Sequence, residues 1–172
     1  KCFFYSTNMN QKKIVFLTQY YLPELGAPPA RISELAAGLV RKGFNISIVT
    51  AVPNRPKGNI HKGFEKKWRY ISNENGINVF RVKVLLPKLF GNFINRLITE
   101  LSFSLNAVIF AFHPLKSADI IIIQNPPLFS GLLTPLFKII FKSKVINWCS
   151  DVWPELHLEL GTFRETSLIT KF

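Results

Sequence analysis

A run of four consecutive isoleucines, residues 120–123, constrains the fold more than any other feature of this sequence. Unbroken β-branched runs of strand length are typical of strands that are covered on both faces of a parallel sheet. Further strands are predicted at residues 14–18, 44–51 and 144–149, the last of them also buried. Because helical patterns separate these strands, we predict an α/β fold with a doubly wound, mostly parallel Rossmann-like sheet.

The segments between the strands carry helical spacing. Apolar residues recur three and four positions apart between Ile32 and Val40, after Pro28 and Pro29, and Gly43 is placed to end this helix. Further helices are predicted over 93–112, 128–141 and 153–160. Residues 68–71 and 77–85 are expected to form a hairpin, because the Asn-Gly pair at 75–76 favours the positive φ of tight turns.

Size and charge limit the class of protein. At 172 residues the chain fits one α/β domain, which we place at 12–172, with 1–11 as a disordered tail. Its net charge of +12 favours anionic partners such as phosphates or lipid head groups. The basic residues are scattered and no recognition motif accompanies them, so no nucleic acid is expected. Cys2 and Cys149 lack the spacing of a zinc site or a disulfide framework.

Ligands of open parallel sheets bind beyond the carboxyl ends of the strands, where the strand order reverses. This rule selects the loops 19–29, 52–64, 125–127 and 150–155, and it predicts that Gly26 and Asn125 face each other across the crevice. Gly26 and the helix N-terminus behind it suit a phosphate, and Arg31 either adds a contact or is a solvated surface arginine. Neither a dinucleotide fingerprint nor a Walker loop is present.

Two carboxylates and an indole follow the last predicted strand, at Asp151, Trp153 and Glu155. Asp151 is a candidate general base that takes the proton of a substrate hydroxyl. Trp153 is either a stacking platform or a packing residue, and Glu155 is a candidate hydrogen-bonding group for the ligand. The alternative is structural, with Asp151 as the N-cap of the next helix and Glu155 as a charge in its first turn.

Two further segments suggest a surface role. The loop after the second strand interleaves basic residues, among them Arg55, with Phe64 and Trp68, which fits phosphate binding, membrane binding or a solvated charge run. The apolar stretch 97–112 approaches the length of a membrane span, but Glu100 would be costly in lipid. We expect it, with 128–141, to pack on the sheet or to lie on a membrane surface.

Five motifs in order, at 13–24, 26–36, 49–58, 125–127 and 151–155, resemble the N-terminal domain of family 4 glycosyltransferases. The likeness is greatest to the bacterial surface-polysaccharide branch that includes fucosamine transferases. It implies a GT-B architecture of two Rossmann-like domains, retaining chemistry, no metal and no cofactor. This chain is then the acceptor-side domain, truncated before the donor-binding C-terminal domain.

By position, the resemblance implies that Gly26 lies near the donor phosphates and that Asp151 is a polar residue on the acceptor side. We predict Asp151 as the catalytic residue and Arg31 as a second contact to the donor phosphates. Acceptor contacts are expected from five residues, Asn54, Arg55, Asn125, Trp153 and Glu155.

The parent protein would transfer a sugar from a nucleotide sugar to a lipid-linked or saccharide acceptor in surface polysaccharide or lipopolysaccharide synthesis. We expect it in the cytoplasm, at the inner face of the cytoplasmic membrane, in peripheral contact with lipid. This domain alone is expected to be inactive. The alternative is a non-catalytic module that binds an anion or a saccharide, or an inactive fragment.

Overall fold

Six strands form one sheet in the part of the chain that the structure describes. The computed structural model describes residues 12–55, 59–88, 92–125 and 134–149. The strands are β1 (Lys13–Leu17), β2 (Asn45–Ala51), β3 (Arg69–Glu74), β4 (Ile77–Val82), β5 (Ile120–Asn125) and β6 (Lys144–Cys149). The helices are α1 (Ala27–Arg41), α2 (Asn92–Phe110), α3 (Phe112–Lys116) and α4 (Thr134–Phe141). The strand order in the sheet is β3-β4-β2-β1-β5-β6. All strand pairs are parallel except β3 with β4, which confirms the predicted sheet.

The sheet separates two apolar cores, because successive side chains of a strand point to opposite faces. On one face Ile32 and Ala36 of α1 pack on strand residues such as Phe16 and Ile48. On the other face α2, α3 and α4 contribute the larger cluster, which includes Phe103 and packs on alternate residues of the same strands. Helices therefore cover both faces, as the doubly wound prediction requires.

Glycines flank helix α1 on both sides. Gly26 is the N-cap with φ 136°, and prolines occupy the first helical positions. Gly43, with φ 87°, donates its amide to the carbonyl of Val40 at 2.9 Å just beyond the helix end. Positive φ favours glycine at both places, so the predicted limits of this helix are confirmed.

The predicted single helix over 93–112 is wrong at its C-terminal end, where the structure has two helices. Helix α2 ends at Phe110, and the short α3 begins at Phe112. Pro114 has no N–H to donate to the carbonyl of Phe110, so the α-helical ladder is interrupted there. That carbonyl instead accepts from Arg69 Nη1 at 3.3 Å.

The β3–β4 hairpin is confirmed, with shifted strand limits. Asn75 and Gly76 have φ of 52° and 82°, as a two-residue turn with positive φ at both positions requires. The residue before the turn, Glu74, pairs with Ile77 just after it. Strand β3 therefore runs further toward the turn than the predicted 68–71.

The prediction of a buried strand at 144–149 is correct in its limits and wrong in its burial. Strand β6 pairs with β5 alone among the described strands, and residues such as Ile146 are exposed. An edge position explains this exposure, because one flank of the strand has no described neighbour. The tail 1–11, the segment 128–133 and the predicted helix 153–160 lie outside the described residues.

Candidate functional site

The carboxyl ends of β1, β2, β5 and β6 lie at one edge of the sheet, because these strands are mutually parallel. The strand order reverses at β1, which pairs with β2 on one side and with β5 on the other. Just beyond β1, Thr18 Oγ1 donates to Gln124 Oε1 of β5 at 2.6 Å. This buried hydrogen bond ties together the two strands at which a doubly wound sheet binds ligands.

A buried carboxylate joins the loops that follow β1 and β2. Glu24 is 3% exposed, and its Oε1 accepts the backbone amides of Asn54 at 2.7 Å and Arg55 at 2.9 Å. Two amide donors on one carboxylate oxygen satisfy a charge that would otherwise be costly to bury. The start of the basic loop is therefore held in a set position against the loop after β1.

The guanidinium of Arg55 lies over the Tyr20 ring, with Cζ 3.7 Å from the ring centroid. Burial raises the pKa of Tyr20, and the neighbouring Arg55 opposes that rise. Arg55 itself is exposed. Stacking uses the face of a guanidinium and leaves N–H groups at its edge for an anion, so the pair is suited to bind a phosphate or carboxylate.

The first half of α2 brings two further charges toward Tyr20. Arg96 Nε donates to Glu100 Oε1 at 2.8 Å, and Glu100 is buried. Both charges influence the Tyr20 pKa, Arg96 lowering it and Glu100 raising it. Sequence reasoning missed Tyr20 and Arg96. The available signal was an (i, i+4) ion pair in a helix with no other charged residue.

The N-terminus of α1 offers fewer donors than an ordinary helix. Pro28 and Pro29 have no N–H, and the amide of Ala30 is bonded to the carbonyl of Gly26 at 3.3 Å. The amides of Gly26 and Ala27 remain, and neither bonds to a described residue. A phosphate here would therefore rely on these two amides and on the helix dipole. Arg31, further along α1, has an exposed side chain.

The two predicted asparagines occupy different environments. Asn54 is 5% exposed and its Nδ2 donates to the carbonyl of Val52 at 3.0 Å, so this side chain shapes its own loop. Asn125 is at the end of β5, where its Nδ2 donates to Oδ1 of Asn147 on β6. Asn125 Oδ1 is buried without a hydrogen-bond partner among the described residues, and so is Oε1 of Gln19 just after β1. Unpaired buried acceptors at a ligand edge are suited to donors of a bound molecule.

The remaining predicted site residues, Asp151, Trp153 and Glu155, lie outside the described residues, and their roles stay predictions. Strand β6 ends at Cys149, two positions before Asp151 in sequence. Within 12–55, 59–88, 92–125 and 134–149, no group of three histidine, cysteine, aspartate or glutamate side chains is placed to hold a metal ion.

A separate cavity of about 390 Å³ lies at the β3 side of the sheet, bounded by Leu22, Phe64, Tyr70 and Arg81 among others. Arg81 is 4% exposed and donates to Glu74 Oε1 at 2.7 Å and to the carbonyl of Leu22 at 2.8 Å. Burial favours a higher pKa for Glu74, but hydrogen bonds from Arg81 and Ser72 outweigh it and lower that pKa. The cavity wall therefore includes an ion pair, and Arg81 of this pair also binds the loop after β1 to the hairpin.

Comparison with known proteins addresses the fold. No protein-family model and no curated protein matches the sequence. Among solved structures, the catalytic domain of starch synthase IV from Arabidopsis thaliana, bound to ADP and acarbose, is similar with a TM-score of 0.51 and 15% identity. The likeness covers 81% of this chain and 34% of that chain. At this identity the similarity shows the fold alone, which is that of a Rossmann-like domain of the GT-B type.

Proposed function

We propose that this chain is the acceptor-side domain of a retaining, nucleotide-sugar-dependent glycosyltransferase. The observation that carries the proposal is the carboxyl edge of a GT-B-type sheet, where the loops after β1 and β2 are joined through Glu24 and present Arg55 on Tyr20. The fold of the starch synthase domain, solved with a nucleotide and a sugar analogue, supports the same class of reaction. This chain spans about a third of that chain, and we propose that the activity belongs to a larger parent protein.

The proposed division of labour follows the chemistry of the edge. Arg55, stacked on Tyr20, would hold an anionic group of the acceptor, and Asn125 Oδ1 would accept from one of its hydroxyls. Gly26 and Arg31 would face the donor phosphates, with the Gly26 and Ala27 amides as the backbone donors. Asn54 would act by shaping the loop that carries Arg55.

Asp151 would orient the acceptor hydroxyl or take its proton, with Trp153 and Glu155 contacting the acceptor sugar. No metal or cofactor is part of the proposed reaction. The acceptor would be lipid-linked or a saccharide of surface polysaccharide synthesis, and the reaction would take place in the cytoplasm at the inner membrane face.

Transfer by the parent protein tests the proposal. Arg55→Ala should raise the KM for an anionic acceptor by about tenfold to a hundredfold with a smaller change in kcat, because a charge-assisted contact is worth roughly 1.5–3 kcal/mol. Arg41→Ala is the matched control, since Arg41 is an exposed arginine in the last turn of α1. It should leave KM unchanged.

Asp151→Asn addresses the reaction step in the same assay. A large fall in kcat supports proton transfer by Asp151, and a small fall with altered KM supports a positioning role. A parent protein that binds nucleotide sugars and acceptor but transfers no sugar would contradict the enzyme proposal and favour the binding module.

A further inference from the structure

Helix α2 has an apolar face that points away from the sheet. Four aliphatic residues on it, Ile94, Leu101, Leu105 and Ile109, are between 42% and 65% exposed. Their spacing of seven, four and four positions places them in one stripe of a helix with about 3.6 residues per turn. The buried Phe103 and Ala107 occupy the opposite side. We call this stripe the outward face of α2.

The outward face carries no charge. The nineteen residues of α2 contain only two charged side chains, Arg96 and Glu100, which pair with each other away from this stripe. Solvent-exposed helix faces are ordinarily polar, so an aliphatic stripe opposite the core marks a contact surface. None of the described helices is both long and apolar enough to cross a bilayer.

A basic segment adjoins the C-terminal end of this helix. Trp68, which is exposed, stacks on Phe110 with ring centroids 6.1 Å apart, and Arg69 Nη1 donates to the Phe110 carbonyl. Residues 61–70 carry four basic side chains against one acidic side chain, Glu65. The four, all exposed, are Lys62, Lys66, Lys67 and Arg69. The fold thus places a cationic, tryptophan-containing segment at the C-terminal end of the helix that carries the uncharged aliphatic face.

We infer that the outward face of α2 lies in the plane of an anionic membrane surface, with the segment 61–70 on the lipid head groups. Aliphatic side chains in the acyl boundary, an interfacial tryptophan and flanking lysines are the combination that binds such a surface. A protein partner would be expected to meet hydrogen-bonding side chains at the rim of its interface. Here the adjoining segment 61–70 carries mostly cations, which complement lipid phosphates.

This orientation bears on the proposed function, although the lipid contact does not depend on it. Ile94 and Ile109 are about 22 Å apart along the helix axis, from fifteen residues at about 1.5 Å each. The Ile94 end is the end near Arg96, whose charge reaches Tyr20 at the candidate site. A helix lying on the membrane would therefore bring the acceptor edge close to the lipid surface.

Vesicle co-sedimentation of the 172-residue chain tests the inference without any sugar donor or acceptor. Vesicles of equal parts phosphatidylcholine and phosphatidylglycerol should bind it at low salt, and pure phosphatidylcholine more weakly. Leu105→Glu with Ile109→Glu should lower the partition coefficient by about tenfold or more, because two aliphatic side chains that would enter the acyl boundary are replaced by charged ones. The matched control is Leu35→Glu, an exposed leucine of α1 on the other face of the sheet, which should bind as the wild type does.

The lysines of the segment 61–70 should affect binding only through their charge, which a separate experiment can measure. Lys66→Gln and Lys67→Gln should each lower binding to anionic vesicles by about fivefold and leave binding to neutral vesicles unchanged, since one lysine contributes roughly 1 kcal/mol at an anionic surface. Raised salt should reduce the same difference. Equal losses on both kinds of vesicle would contradict the assigned role of this segment.

Three results would overturn the inference. These are absence of binding to anionic vesicles at low salt, unchanged binding by the Leu105→Glu, Ile109→Glu variant, and an equal loss in Leu35→Glu. The alternative is that a second copy of the chain covers the outward face of α2, and sedimentation equilibrium without vesicles tests it. If the chain is a dimer that the double variant dissociates, and it binds no lipid, this face is a contact between copies.

Circular dichroism would verify that the double variant folds. If it does not, Ile109→Gln replaces it, and quenching of Trp68 by brominated lipid, with Trp148 and Trp153 replaced by phenylalanine, decides the matter. Quenching supports the inference, whereas unquenched Trp68 refutes it.

Discussion

Helices α1 and α2 pack on opposite faces of the same sheet and differ in the side they turn away from it. Their inward sides are alike, with Ile32 and Ala36 buried on α1 and Phe103 and Ala107 buried on α2. The exposed side of α1 carries charged residues such as Arg31. That of α2 carries an uncharged aliphatic stripe.

This difference separates the requirements of folding from those of function. Burial against the sheet explains the inward residues of both helices. It does not explain exposed aliphatic residues, since polar residues at these positions would fold equally well. We therefore assign the exposed aliphatic residues on the outward face of α2 to binding and not to folding.

The largest expected effect on stability is a difference between the inward and the outward positions of α1 and α2. Phe103→Ala and Ile32→Ala should each lower the free energy of unfolding by about 3 kcal/mol or more, because both side chains are fully buried. Leu105→Ala and Leu35→Ala should change it by less than about 1 kcal/mol. Urea denaturation measures all four. A loss for Leu105→Ala as large as that for Phe103→Ala would mean that the outward face is part of the core.

The next effect concerns the ion pair on the α1 side of the sheet. Arg81→Met should cost about 2 kcal/mol, because it removes the donors that satisfy Glu74 and the Leu22 carbonyl. Lys83→Met, two positions along the chain, is the control, and it should cost less than about 0.5 kcal/mol because the ammonium contacts the carbonyl of Glu65 at an exposed site. If Arg81→Met costs no more than Lys83→Met, the buried pair does not contribute to the free energy of unfolding.

A smaller effect is expected where Glu24 joins the two loops. Glu24→Ala should cost about 1–2 kcal/mol and speed amide exchange at Asn54 and Arg55, because both amides lose their acceptor. Glu24→Gln keeps an acceptor oxygen and should lose less. Exchange followed by NMR would settle this, and unaltered protection in Glu24→Ala would argue that the loops are held by other contacts.

The smallest effect is a pH dependence from Glu74. Its pKa is lowered in the folded protein, so its contribution to stability is present above its ordinary pKa of 4.5 and is lost as pH falls through the folded value. Since about a third of the Glu74 side chain is exposed, solvent screening keeps this contribution below about 1 kcal/mol. The difference in unfolding free energy between wild type and Glu74→Gln should therefore shrink from pH 6 toward about pH 3. A constant difference would contradict the assigned ion pair.

Several elements could be predicted because their signals are local. The isoleucine run of β5, the glycines that bound α1 and the Asn75-Gly76 turn act through backbone preference and burial within a few residues. Pro114 was equally visible, and its missing N–H predicts that a helix starting near residue 93 is interrupted before residue 114. The burial of β6 could not be predicted, because exposure depends on which strands lie beside it.

In the candidate site, too, some features could be predicted from local signals and others could not. The rule that ligands bind at strand carboxyl ends was enough to select Gly26, Asn125 and the loop of Arg55. The stacking of Arg55 on Tyr20, the Glu24 contacts and the approach of Arg96 join residues between thirty and eighty positions apart. No local pattern encodes such pairings.

The sequence by itself determined a doubly wound parallel sheet and the loops at its carboxyl edge, because periodicity and turn chemistry act over short distances along the chain. Only the tertiary structure decided which charges gather around Tyr20, which side of α2 faces outward, and that the cationic segment 61–70 lies beside it. These relations arise when the sheet brings distant loops and helices together, since side-chain contacts and burial depend on position in space.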